Sequence, residues 1–192
     1  MKLFHIHKRF LLMLNAIAIL VAFLMHLPEL IALSDPETGS HLFPDIHWAN
    51  VSYEILFTYF SILLLFFLNI RMMMPGNPAR ELGWKRVALT FVATLVVCNL
   101  LGKGFVYIHQ HFEVPAITAM LHHYLHPLRD ILIACIVTGT CYLDYQNQRS
   151  RRMLLENEQL RSENLVNQYE ALKSQPNPHM LFNSLNTLYS LI

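Results

Sequence analysis

The amino-acid sequence predicts an all-α membrane protein: four transmembrane helices, then a long cytoplasmic helix, then a short amphipathic helix at the C-terminal end. Three observations carry that expectation. The 192 residues are 54% hydrophobic and only 14% charged, more apolar than a soluble domain of this size requires. The apolar excess gathers into four runs, residues 10–27, 51–70, 87–108 and 126–145, each close to the length at which a helix crosses a bilayer. Beyond Tyr145 the composition turns charged and amide-rich, and good helix formers continue without Gly or Pro from residue 146 to 175. These shifts divide the chain into a membrane domain over 1–145, a linker helix over 146–175 and a distinct segment over 176–192.

The first run follows Lys2, Lys8 and Arg9, and the small-residue stretch Ala32-Leu33-Ser34 beyond it gives it some likeness to a cleaved leader. Its apolar stretch is long for a leader, and removing it would leave an odd number of spans, so it reads as a retained span. Arg71, Arg80, Lys85 and Arg86 fill the link between the second and third runs, and Arg149, Arg151 and Arg152 follow the fourth. The other two links, residues 28–50 and 109–125, contain no Lys or Arg. Because Lys and Arg favour the cytoplasmic side, both termini are expected there. A formal net charge of +1, with the basic residues at membrane edges, gives no reason to expect nucleic acid as a partner. Cys98, Cys135 and Cys141 all fall within spans without a paired spacing and read as small packing residues.

Charged groups inside a span cost about 2.5 to 3.5 kcal/mol each on insertion scales, so those present need partners. Glu54, Lys103, Arg129 and Asp130 are expected at similar depth near the outer face, with Asn99 one turn from Lys103. Two readings stay open for this cluster: ion pairs that fix helix register, or the polar lining of a shallow ligand vestibule. Gly102 and Gly104 beside Lys103 would permit close helix approach under either. Eight of the eleven histidines, His26, His41, His47, His109, His111, His122, His123 and His126, belong to the outer face or its edges. His122 and His126, four apart on a helix, with His109 or His111 as a third ligand, are weak metal candidates, and no firm metal site is expected. Imidazoles titrating near about pH 6.5 also permit proton sensing, and interfacial histidines serve as plain anchors. The acidic residues Asp35, Glu37, Asp45 and Glu113 are scattered through the links.

Residues 146–175 predict a rod of roughly 45 Å that continues from the fourth span. Met153 and Leu160 lie seven apart, as do Leu165 and Leu172, while the step between the two pairs breaks the heptad. That is the pattern of a short parallel coiled coil with a phase change, softened by Asn157 and Asn164. Pro176 and Pro178 should interrupt the rod, since each removes an amide donor and pushes the preceding residue from helical angles.

Residues 172–192 read LKSQPNPHMLFNSLNTLYSLI. At about 100° per residue, His179, Asn183, Asn186 and Ser190 share one side of a helix, and Leu181, Leu185, Leu188 and Ile192 lie opposite. This segment resembles the phosphoacceptor motif of the LytS-like sensor histidine kinases, usually written LKxQxNPHFLFNxLN. By position, His179 matches the acceptor and Pro178 the helix-start proline. Asn177, Asn183, Phe182 and Asn186 match further motif positions. Asn183 is the nearest polar neighbour and takes an orienting role by analogy. Met180 replaces the usual phenylalanine, a mild change given methionine's adaptability, and Pro176 stands where an aliphatic residue is commoner.

The resemblance implies a multi-pass protein of the bacterial inner (cytoplasmic) membrane that acts as a protein histidine kinase in a two-component system. His179 would take the γ-phosphoryl group of ATP and pass it to an aspartate of a response regulator. It also implies a homodimer, the segment after Pro178 being the first part of a dimerisation and phosphoacceptor helix. The sequence to Ile192 contains no P-loop, glycine-rich ATP lid or acidic Mg²⁺ site. This polypeptide is therefore expected to bind no cofactor and to be inactive alone, ATP and Mg²⁺ being held by a nucleotide-binding lobe outside it or supplied in trans. An alternative of a different class is a non-catalytic membrane adaptor that dimerises with intact kinases and regulates them. A small transporter or metal-binding bundle is a third, and it leaves the Asn-Pro-His segment unexplained.

Overall fold

A computed structural model describes residues 8–34, 43, 46–73, 82–112, 120–174 and 178–191. Every regular element among them is an α-helix: α1 (Lys8–Met25), α2 (Leu27–Ser34), α3 (Trp48–Met73), α4 (Trp84–Phe112), α5 (Met120–Ser174) and α6 (Pro178–Tyr189). The contacts divide the chain into two compact units, Met1–Tyr145 and Gln146–Ile192.

In the first unit α1 packs along α3 and α3 along α4, with α2 touching α1 and α3. Leu14, Ala18 and Val21 of α1 meet Ile62, Leu65 and Phe66 of α3, together with Cys98 of α4 and Ile133, Val137 and Cys141 of α5. The i, i+4 spacing of Leu14 and Ala18 places them on one stripe, so an otherwise uniformly apolar helix buries one face and leaves Leu12, Leu20 and Leu24 exposed, as a lipid-facing surface requires. Phe57 and Phe105 add an aromatic contact between α3 and α4, their centroids 4.4 Å apart. A smaller cluster of Ala32, Phe43 and Val51 seats α2 against the start of α3.

The first apolar run departs from the expected single span. It breaks at His26, and residues 10–25 and 27–34 form two helices bent by 54°. Pro28 explains the break: it has no amide hydrogen for the carbonyl four residues back and its ring crowds that carbonyl. The chain turns instead through the His26 amide donating to the Phe23 carbonyl at 3.2 Å, and the new helix starts with the Leu30 amide donating to the His26 carbonyl at 3.0 Å.

By length and apolarity, α3 and α4 are long and apolar enough to cross a membrane, and the bent α1–α2 pair makes three if it counts as one span. The fourth run, residues 126–145, lies inside the 55-residue α5, which starts earlier than expected, at Met120, and carries Pro127 within it. Arg129 and Asp130 at one end of that run and Asp144 at the other shorten its uninterrupted apolar stretch. Helix α5 continues without a break to Ser174. Residues 150–174 are exposed along its length, including Met153, Leu160, Leu165 and Leu172.

Candidate functional site

Helix α5 ends at Ser174, whose hydroxyl donates back to the Ala171 carbonyl at 2.9 Å, and α6 begins at Pro178. Proline suits a first helical position because its fixed φ is preorganised and the missing amide hydrogen would have no intrahelical acceptor. His179 is therefore the second residue of α6, in a first turn that contains no acidic residue. The amides of that turn have no carbonyl four residues back, and the positive end of the helix dipole lies among them. A group that gains negative charge at this end of α6 is favoured there.

The Thr187 hydroxyl donates to the Asn183 carbonyl at 2.7 Å and the Ser184 hydroxyl to the Met180 carbonyl, so both polar side chains close onto their own helix. Asn183 and Asn186 are exposed. Phe182, Leu185 and Leu188 are also open to solvent, at 69%, 59% and 64%. An apolar stripe of that extent does not stay wet in a stable protein, and it marks a surface that needs a cover. Pro176 and Asn177 lie outside the described residues, as do the side chains of Pro178 and His179.

The residues expected to form a polar cluster, Glu54, Asn99, Lys103, Arg129 and Asp130, lie on α3, α4 and α5. Glu54 is buried on α3 facing His26, with its carboxylate Oε2 3.7 Å from His26 Nδ1. Asp130 accepts a hydrogen bond from the Cys98 thiol at 3.3 Å, joining α5 to α4. An Arg129 Nη2 lies 2.8 Å from His126 Nδ1, one turn away on α5. Asn99 and Lys103 are exposed on α4. A Cβ added to Gly102 or Gly104 would meet no atom within 4 Å, so these glycines are not sites of close helix approach within the single chain.

Of the metal candidates, His109 is half-buried and His111 exposed, stacked on Tyr107 with centroids 5.2 Å apart. His126 is held beside Arg129, and the side chain of His122 lies outside the described residues, as do Asp35, Glu37, His41, Asp45 and Glu113. Among the described residues no group of three or more His, Cys, Asp or Glu side chains is arranged to hold a metal ion.

Two buried polar sets had no counterpart in the sequence reading. In the first, Asn69 of α3 is fully buried, and its Nδ2 donates to the Leu65 carbonyl at 2.9 Å and to Thr94 Oγ1 of α4 at 2.8 Å. Its Oδ1 accepts from the Thr138 hydroxyl of α5 at 3.1 Å. Thr94 in turn donates to the Thr90 carbonyl, and Thr90 to the Arg86 carbonyl. One amide thus ties three helices together inside the apolar unit. The second set is His26 with Glu29, Glu54 and Thr58. The available signal was the stripe Thr90, Thr94, Cys98 at intervals of four and a lone Asn within an apolar run, both uncharged and so invisible to a search for formal charge.

A family model for histidine kinases matches residues 167–192. That match begins in the last turns of α5 and includes Pro178, His179 and all of α6. No curated protein and no solved structure matches the chain.

Proposed function

We propose that the chain is the sensor and phosphoacceptor part of a membrane histidine kinase of the LytS-like type, with His179 as the acceptor. The observation that carries this reading is the histidine kinase match at 167–192, which includes His179 and the whole described helix Pro178–Tyr189. In this reading α1–α2, α3, α4 and the first part of α5 make four passes, with Lys8, Arg71, Lys85 and Arg149 on the cytoplasmic side. The linker half of α5 passes the state of the membrane unit to α6, whose exposed leucines close on a second copy in a helical bundle.

The chemistry asked of His179 is nucleophilic. A neutral ring nitrogen attacks the γ-phosphorus of ATP held by a nucleotide-binding lobe, a nitrogen–phosphorus bond forms, and the bond to the ADP oxygen breaks. The ring's other N–H proton passes to solvent. In the second step an aspartate oxygen of a response regulator attacks the same phosphorus, and the nitrogen–phosphorus bond breaks. Solvent access on α6 serves both steps. The first-turn amides favour the charge that the phosphoryl group brings. Met180, not an acid, follows His179 in the sequence, and in this reading Asn183, one turn on, takes the orienting role.

The test is transfer. Membranes containing the chain, supplied with the nucleotide-binding lobe of a LytS-like kinase, a receiver domain and radiolabelled ATP, should pass label to the receiver's aspartate. A receiver that stays unlabelled while the chain is labelled overturns the relay, and a His179→Gln chain that still supports transfer overturns the assignment of the acceptor.

A further inference from the structure

His26 is the single residue between α1 and α2, and it is fully buried. Its ring lies where three helices meet. Nε2 is 2.9 Å from the Thr58 hydroxyl oxygen of α3. Nδ1 faces two carboxylates, Glu29 Oε1 of α2 at 3.9 Å and Glu54 Oε2 of α3 at 3.7 Å. Both carboxylates are almost completely buried. The charged residues of α1 are Lys8 and Arg9, at its opposite end, and His47, just before α3, is exposed. Glu29 from α2 and Glu54 with Thr58 from α3 thus face the imidazole.

A neutral imidazole carries one N–H and one lone pair. With the proton on Nε2, the Nδ1 lone pair points at two carboxylates, and acceptor meets acceptor. With it on Nδ1, the ring answers the carboxylates but must take its second bond from the Thr58 hydroxyl. The imidazolium donates to Thr58 and sets a positive charge against the two acids, whose oxygens at 3.7 and 3.9 Å lie within ion-pair range of Nδ1 though beyond hydrogen-bond length. In a buried setting that difference matters more than in water, because charge interactions strengthen as the local dielectric falls. The residue that would gain the proton is also the one at which the chain bends by 54°.

We infer that His26, Glu29 and Glu54 form a proton-operated latch, in which protonation of the imidazole holds α2 bent against α3 and its loss releases α2. Glu29 and Glu54 act as positioning residues for the ring. The ligand is a proton, and the bent arrangement is the protonated state. That the proton arrives from the outer face rests on the topology proposed above, whereas the latch itself does not.

The full chain in lipid nanodiscs, with Cys98, Cys135 and Cys141 replaced by serine, can carry spin labels at Ile31 on α2 and Leu56 on α3, both exposed. The distance between the labels should lengthen by about 2 Å, the size of a helix shift, between about pH 5 and about pH 8. His26→Gln should remove that dependence. Glu54→Gln, which keeps the side chain's shape, should cut the change to less than about half and decides the matter if the His26 variant fails to fold. A distance independent of pH in the parent, or an unaltered change in Glu54→Gln, overturns the latch. Neither result bears on phosphoryl labelling of His179, so the latch and the proposed kinase function fail separately.

Discussion

Replacing Asn69 by leucine removes a side chain of α3 that is hydrogen-bonded to both α4 and α5, at nearly constant volume. The bonds lost are those to Thr94 Oγ1 at 2.8 Å and from Thr138 Oγ1 at 3.1 Å, together with the intrahelical bond to the Leu65 carbonyl. Interhelical hydrogen bonds within membranes average about 0.6 kcal/mol and reach about 1.7. Two of them give a loss of about 1 kcal/mol, or about 3 at the upper limit. Leucine's greater apolarity offsets part of this, and the Thr94 and Thr138 hydroxyls limit the damage by bonding to carbonyls of their own helices, as Thr94 already does with Thr90. The expected net is a destabilisation of about 1 kcal/mol, roughly a fivefold fall in the folded-to-unfolded ratio. Reversible unfolding in mixed micelles of increasing denaturing detergent, followed by the far-UV signal, measures it. A double-mutant cycle with Thr138→Val isolates one bond, and its coupling should be close to about 0.6 kcal/mol and favourable. A stabilised Asn69→Leu chain, or a coupling indistinguishable from zero, would show that the amide is not the tie between these helices.

Three further outcomes follow from the same arrangement. Single cysteines introduced at Thr38 should react with a membrane-impermeant thiol reagent added to intact cells and those at Asn77 should not, whereas labelling at Asn77 contradicts the proposed topology. Pro176→Leu, placed in a chain that includes a nucleotide-binding lobe, should leave Pro178 as the single proline between Ser174 and His179 and shift basal autophosphorylation at least about threefold in either direction, an interior proline costing a helix about 3 kcal/mol or more. Unchanged basal and stimulated activity means that Pro176 does not couple the rod to the histidine. Leu165→Asp with Leu172→Asp should weaken self-association of the chain in micelles by at least about 100-fold, since each leucine buried contributes about 1.5 to 3 kcal/mol. An unaltered sedimentation profile removes these leucines from the interface.

The helical character of the chain and the approximate positions of its apolar helices were legible in the sequence, because each rests on a local rule. Apolar runs of about span length predict helices where α1, α3 and α4 stand. Pro28 was equally visible, yet its effect reaches back into the preceding turn, so the first run looked like a straight span where the chain bends at His26. The partners of the polar residues were not legible for a different reason. Depth along a span can be estimated from residue number, but the face each helix turns to its neighbours depends on packing. Glu54 lies beside His26, and Asp130 accepts from a thiol. Asn69 and Thr138 are 69 residues apart in the chain, and nothing in their local sequence marks them as partners.

Phosphorylation of the histidine is the most direct measurement of the central claim. The 192-residue chain incubated with radiolabelled ATP and Mg²⁺ should stay unlabelled, since in the proposed function the nucleotide is held by a separate lobe. Adding the nucleotide-binding lobe of a LytS-like kinase should give an acid-labile, base-stable phosphoramidate on the peptide containing His179. The label should be absent from His179→Gln and retained when His109, His111 and His126 are replaced by glutamine. Label that survives in His179→Gln, or that appears before any lobe is added, would contradict the account.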